Sequence, residues 1–435
     1  MSCANLRVIV VGAGFAGLTA AIECRLRGMH SILLESYPTS RNYGDILDFS
    51  PNGGMHFERW ADGKVARRLL EVCLNDTDTL DYYKYDGTFL FAEPFLLKPE
   101  DRPRMLAGHR GEMHQIICDY AADRPGVVTA AGETITGDVV VAADGPKSLA
   151  REQLLGLPES KVNSGYAIYR AHYHLTPADR ADPLLAPFCR RSPNVARLWV
   201  GADLHMFVYS WKEGRDIGWV FTHKDDQDIG ESWSQPGQLA DALAYLDEAR
   251  FEETCKAIVR RTPADRLVDY KLVWRDPLRT WLAASRRSCV IGDAAHCHLP
   301  TSAQGACQAV EDGVALAVCL ERADGDVELA LRVFERVRFN RSHVVHMSSI
   351  SVRDDYHTLD FESELFKEHP EIINVPRQAW VLDFDARQDA EENFDRLAAD
   401  VRSGREGTLE ELSLPAGGNF DLENRDFYTP QKAVL

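Results

Sequence analysis

The chain has 435 residues, 45% hydrophobic and 27% charged, an ordinary globular composition long enough for two domains or one large two-part core. Lysine and arginine number 49 against 67 aspartates and glutamates, and the formal charge of -18 is offset by no long basic run, which argues against a nucleic-acid partner. No apolar run approaches the roughly 18 residues of a membrane span, the N-terminal apolar run is broken by glycines before a signal-peptide cleavage pattern, and the ten cysteines form no CxxC pair, so a cytoplasmic protein with small buried thiols is expected.

From the N-terminus, an apolar run (Leu6 to Val11), a glycine-rich turn, a helical stretch from about Phe15 to Arg27 and a second apolar run ending at Glu35 spell a βαβ unit. The turn reads Gly12-Ala-Gly14-Phe-Ala-Gly17. Gly12 suits the tight turn, Gly14 the close approach of a pyrophosphate and Gly17 close helix packing, while Glu35, 23 residues after Gly12, is placed to accept from a ribose diol.

Further buried strands are expected at about 138 to 143, ending in Asp144-Gly145, and at 288 to 291, running into Gly292-Asp293-Ala-Ala-His296 and then Gln304-Gly305 at a helix start. Between them, from about 160 to 275, alternation in stretches such as Tyr166 to His174 and His205 to Trp211 predicts a half-exposed antiparallel sheet. Helices follow from about 306, and Phe394, Leu397, Ala398 and Val401 mark an amphipathic helix before a tail around Pro415 to Gly418. His296, Cys297 and His298 are contiguous on one turn and cannot converge on one ion, so no metal site is expected.

The ordered triple of GxGxxG, Asp144-Gly145 and Gly292-Asp293 resembles the flavin-dependent aromatic hydroxylases, a family of single-component FAD monooxygenases that includes salicylate-hydroxylase-like enzymes and fungal biosynthetic monooxygenases. The resemblance runs from about residue 6 to 345. It implies an α/β fold: a discontinuous Rossmann-like FAD-binding domain (1–155 and 281–345), an antiparallel-sheet substrate domain (156–280) and C-terminal helices with a tail (346–435). It also implies non-covalent FAD, transient NAD(P)H, O₂, and oxygen transfer through a flavin C4a-hydroperoxide to an electron-rich aromatic or indole-type small molecule. With no second GxGxxG, NAD(P)H has no binding fold of its own here.

By the same resemblance, Asp293 binds a hydroxyl of the ribityl or ribose region, the backbone at Gln304-Gly305 approaches the flavin pyrimidine, Asp144 links FAD binding to the nicotinamide, and Arg110 reaches the flavin chain and phosphates. Asp45, in the loop Asn42 to Asn52, and Arg170, in Ser164-Gly-Tyr-Ala-Ile-Tyr-Arg170, match positions given catalytic roles in fungal members acting on prenylated indoles. Taken alone, Arg170 also fits one partner of a structural ion pair, and Asp144 and Asp293 fit a turn and a helix cap. Strand residues such as Tyr166, Met206 and Val208 are expected to line the pocket.

In one place the pattern departs from the family. After Cys118 to Ala122 the chain passes directly to Asp123-Arg-Pro-Gly126 and then Gly132, and a family strand with part of a hairpin is expected to be missing there. Three other readings stay open at this point: a salicylate-hydroxylase-like phenol hydroxylase, an FAD-dependent dehydrogenase or oxidase, and a flavin-poor, inactive binding protein. Oligomeric state is not legible in the sequence.

Overall fold

The computed structural model describes residues 3–36, 46–74, 77, 79–94, 105–122, 135–225, 235–275, 277–357, 360–373 and 379–409. In chain order the principal elements are β1 (Arg7–Val11), α1 (Phe15–Leu26), β2 (His30–Leu34), β3 (Ile46–Phe49), β4 (Thr79–Lys84), β5 (Phe89–Pro94), β6 (Leu106–His109), α2 (Arg110–Ala122), β7 (Val139–Ala142), α3 (Leu149–Leu155), β8 (Lys161–His174), β9 (Val195–Gly201), β10 (Leu204–Trp211), β11 (Asp216–Lys224), α4 (Leu239–Glu248), α5 (Glu253–Arg260), β12 (Val268–Arg275), β13 (Ser288–Val290), α6 (Gly305–Arg322), α7 (Val327–His357) and α8 (Ala386–Ser403).

A parallel sheet in the order β13-β7-β1-β2 joins strands from residues 7–142 with one at Ser288–Val290, as a discontinuous Rossmann-like unit requires. Its central strands are short and apolar (Arg-Val-Ile-Val-Val in β1, Val-Val-Val-Ala in β7), the composition of strands covered on both faces. Helix α6 carries an unbroken buried stretch from Cys307 to Leu320 and packs with α1, α7 and α8 into the main core. In α8, Phe394, Leu397, Ala398 and Val401 are buried, as their helical spacing predicts.

Among the described residues β2 pairs with β1 alone, and Ser31 to Leu34 are half-buried. Residues 123–134, where the sequence predicts a missing strand, lie outside the described residues, as does the tail from 410.

The second sheet runs β12-β8-β11-β10-β9-β4-β5 and is antiparallel except where β4 meets β9. Strands β4 and β5 come from the first quarter of the chain, so this sheet is not confined to residues 156–280. The reason is topological: β4 adds to the β9 edge in parallel, a long-range pairing that local alternation cannot announce.

Alternation gives this sheet two buried faces. On the outer one, Met206, Val208, Trp199 and Trp219 pack with Leu246 of α4 and Ile258 of α5. On the inner one, Ile168, Tyr270 and Leu272 meet Leu299, with Tyr166 and Ile350 against them. The expectation that Met206 and Val208 line the pocket is therefore corrected: a two-residue period places both under the helical cover, whereas Tyr166 is on the inner face.

Candidate active site

The glycine turn is built by backbone contacts that leave no room for other residues. Gly12 has φ +103°, and a Cβ there would lie 2.2 Å from the Ala143 carbonyl oxygen; one at Gly17 would lie 1.9 Å from the Gly12 oxygen. Gly14 differs. A Cβ at Gly14 would meet nothing within 4 Å, so its bareness keeps space open at the start of α1.

Three side chains converge on this turn. Glu35 Oε2 accepts from Ala13 N at 2.8 Å and so helps to hold the turn's shape. His114 on α2 donates through Nε2 to the Ala13 oxygen at 2.7 Å, which fixes its tautomer, and burial keeps it below the usual histidine range despite that bond. Arg110, the first residue of α2, lays its guanidinium 5.6 Å from the Phe15 ring centroid. Asp45 lies outside the described residues; the next residue, Ile46, pairs with His109, beside Arg110.

After β7, Gly145 takes φ +81° and Asp144 Oδ2 accepts from Ala150 N at 3.1 Å, which secures the entry to α3. The other oxygen, Oδ1, is buried with no protein partner among the described residues. Beyond β13, Asp293 is half-buried, and among the described residues no hydrogen bond or ion pair reaches its carboxylate. Burial raises Asp293 above the usual carboxylate range, opposed by the charges of His296, Arg110, Arg275 and Arg151.

Helix α6 begins at Gly305 with Gln304 as its N-cap, and the Gln304 side chain does not cap it. Its first-turn N–H groups have no intrahelical acceptors and point toward whatever occupies the space before them. The open space at Gly14, the Asp144 and Asp293 oxygens and these N–H groups are the donor and acceptor set that a dinucleotide with a flavin at one end requires.

Arg170, 5% exposed, lies on β8 opposite Val220 and Val268 and so on the inner face with Ile168, which packs against Leu299 between Asp293 and Gln304. Its guanidinium stands 5.8 Å from the Tyr270 ring centroid. Arg170 thus shares the sheet face whose Ile168 packs against Leu299, in the loop between Asp293 and Gln304.

Sequence reading did not assign roles to the buried ion cluster behind that loop. Glu311 Oε2 accepts from Arg338 and, at 2.8 Å, from Arg341, and Asp312 Oδ1 accepts from Arg338 Nε at 2.9 Å. Burial pushes both carboxyls up, and the arginines, with His296 for Asp312, outweigh it and hold them below the usual range. The local signal is Arg338 and Arg341 at i,i+3, two cations on one face of α7, in a stretch that also carries Glu335, Arg336, Asn340 and His343. Among the described residues no group of three or more His, Cys, Asp or Glu is arranged to hold a metal ion, and no helix is long and apolar enough to cross a membrane.

A split parallel sheet with a dinucleotide turn, together with a second, mostly antiparallel sheet, is the architecture of a dinucleotide-binding flavoprotein. Residues 109–323 match a family described as FAD binding domain, and residues 7–55 match a second of the same description. The FAD-dependent monooxygenase okaB of Penicillium ochrochloron is 30% identical, over 96% of this chain and 96% of its own. Notoamide E oxidase notB of Aspergillus sp. (strain MF297-2) is 31% identical, over 96% and 95%. The crystal structure of CtdE in complex with FAD and a substrate is similar with TM-score 0.85 and 27% identity, over 92% of this chain and 100% of CtdE. The chain belongs to the flavin-dependent aromatic hydroxylase family and is an FAD-dependent monooxygenase of the fungal secondary-metabolism type.

Proposed function

We propose that the protein uses NAD(P)H and O₂ to place one oxygen atom, by hydroxylation or epoxidation, on an electron-rich aromatic or indole-type small molecule. The observation that carries this reading is Arg170, a buried cation on the sheet face that meets the loop between Asp293 and Gln304. Names of relatives such as notoamide E oxidase support a substrate of fungal specialised metabolism.

In this reading Gly14 lets the pyrophosphate of FAD approach the turn that Gly12 and Gly17 shape, Glu35 takes the ribose diol, Arg110 the phosphates and Asp293 a hydroxyl of the ribityl chain. Asp144 serves the nicotinamide approach. The N–H groups at Gln304-Gly305 face the flavin pyrimidine, where negative charge gathers on reduction. When bound, FAD supplies the redox chemistry, taking a hydride from NAD(P)H and activating O₂; the protein supplies orientation and electrostatics. With the cofactor bound, Arg170 would donate a charge-assisted hydrogen bond to negative charge developing on oxygen at the reacting group, and Asp45 would orient an indole N–H or the arginine.

The test is the purified protein with FAD, screened for substrates that stimulate NAD(P)H oxidation, followed by turnover under ¹⁸O₂. Incorporation of one labelled atom per product is expected. Substrate oxidation with no label in the product would make the chain a dehydrogenase or oxidase on this scaffold.

A further inference from the structure

Asn52 is fully buried and sits between the ion cluster and the start of α6: its Nδ2 donates to Glu311 Oε1 at 2.7 Å and to Gln304 Oε1 at 3.0 Å. Glu311 is ionised by its two arginines and can only accept, so it dictates which way the Asn52 amide points. That choice propagates. The second N–H of Asn52 must meet the oxygen of Gln304, which turns Gln304 Nε2 toward Ser50 Oγ at 3.2 Å, and Ser50 in turn donates to Asp48 Oδ2 at 3.3 Å. Asn52 Oδ1 is left buried with no protein partner among the described residues, as follows from spending both N–H groups on Glu311 and Gln304.

The consequence falls on α6. Gln304 is its N-cap residue, and its one side-chain acceptor, Oε1, is engaged by Asn52 and withheld from the first-turn N–H groups. We infer that Asn52 is a positioning residue that keeps Gln304 from capping its own helix and so reserves those N–H groups for the flavin pyrimidine. The inference rests on the reading that FAD lies against the start of α6.

Asn52→Leu, close in volume, removes both donors. A buried Gln304 oxygen without a donor then turns to the nearest N–H groups, those of the first turn of α6, and competes with the cofactor for them. The expected result is an FAD Kd raised about tenfold and a tenfold loss of preference for reduced over oxidised flavin, read as a midpoint potential about 30 mV more negative. Adding Gln304→Ala removes the competing oxygen while keeping the backbone donors, so the double variant should recover most of the potential. Asn52→Ala, which removes the same two donors without branched bulk while Arg338 and Arg341 keep the carboxylate paired, gives the same comparison if Asn52→Leu does not fold. An unchanged potential in the single variants, or a double variant no better than the single one, overturns the inference. Wild-type protein that holds no FAD would instead overturn the cofactor reading, a result distinguishable at the first spectrum.

Discussion

His296 donates through Nε2 to Asp312 Oδ2 at 2.6 Å, and the same oxygen accepts from Gly292 N at 2.9 Å. One buried carboxylate therefore grips the Asp293 turn on both sides, and Arg338 neutralises it from α7. Asp312→Asn leaves Arg338 without half of its counter-charge in a fully buried site. A stability loss of about 3 kcal/mol is expected, the usual cost of removing one partner from a buried charge set, together with faster release of FAD. Denaturant midpoints and flavin fluorescence on dilution check both; a variant matching wild type in each would reduce the cluster to passive filling.

Acid should weaken the fold earlier than its carboxylates alone would. Burial, aided by Arg59, pushes His56 down to about 4, and burial with His343 pushes His346 down to about 3. The folded state thus refuses protons that the unfolded chain accepts near pH 6.5, so stability is full above that pH and is lost as pH falls toward 4. For His56 the difference amounts to about 3 kcal/mol. Glu311 and Asp312, held below their ordinary range, add a second loss at lower pH, beneath the unfolded carboxylate values. Unfolding midpoints at pH 7.5 and pH 5 should differ, and His56→Gln should shrink the difference; an equal drop in the variant would place the acid sensitivity elsewhere.

The elements legible in the sequence are those whose chemistry is local. The Gly12 turn is readable because its φ is open to glycine and its neighbours are backbone, and Asp144-Gly145 and Gly292-Asp293 because a strand end leads into a turn. Glu311 and Arg338 are 27 residues apart on different helices, and nothing in either segment announces that they meet in the core. Met206 and Val208 depart from the expected pocket face for a different reason. Alternation separates the two faces of β10 but not which one the helices cover, and here both faces are buried.

The glycine turn makes a paired prediction that separates binding from folding. Gly14 has room for a side chain in the folded protein and Gly17 has none. Gly14→Val should therefore fold with near wild-type stability yet purify colourless, because the added methyls occupy the space a pyrophosphate needs. Gly17→Val should fail to fold, since its Cβ would sit inside the Gly12 carbonyl. Full flavin in Gly14→Val would remove the fingerprint reading.

The last prediction separates oxygen transfer from flavin reduction. Arg170 sits on the inner face of the seven-stranded sheet, and the work proposed for it begins only after O₂ has been activated, so hydride transfer should not depend on it. In Arg170→Ala, NAD(P)H should still reduce the flavin at a comparable rate once substrate is bound, while most reducing equivalents emerge as hydrogen peroxide and little as oxygenated product. Losing a charge-assisted hydrogen bond to a developing oxyanion costs on the order of 3 kcal/mol, roughly a hundredfold in product formation. A structural role would act differently: removing a buried guanidinium that merely packs over Tyr270 lowers the melting temperature and slows both half-reactions together. Stopped-flow reduction, peroxide yield and product yield measured on one preparation distinguish the two, and an Arg170→Ala enzyme giving nearly one product per NAD(P)H consumed would leave Arg170 as a packing residue.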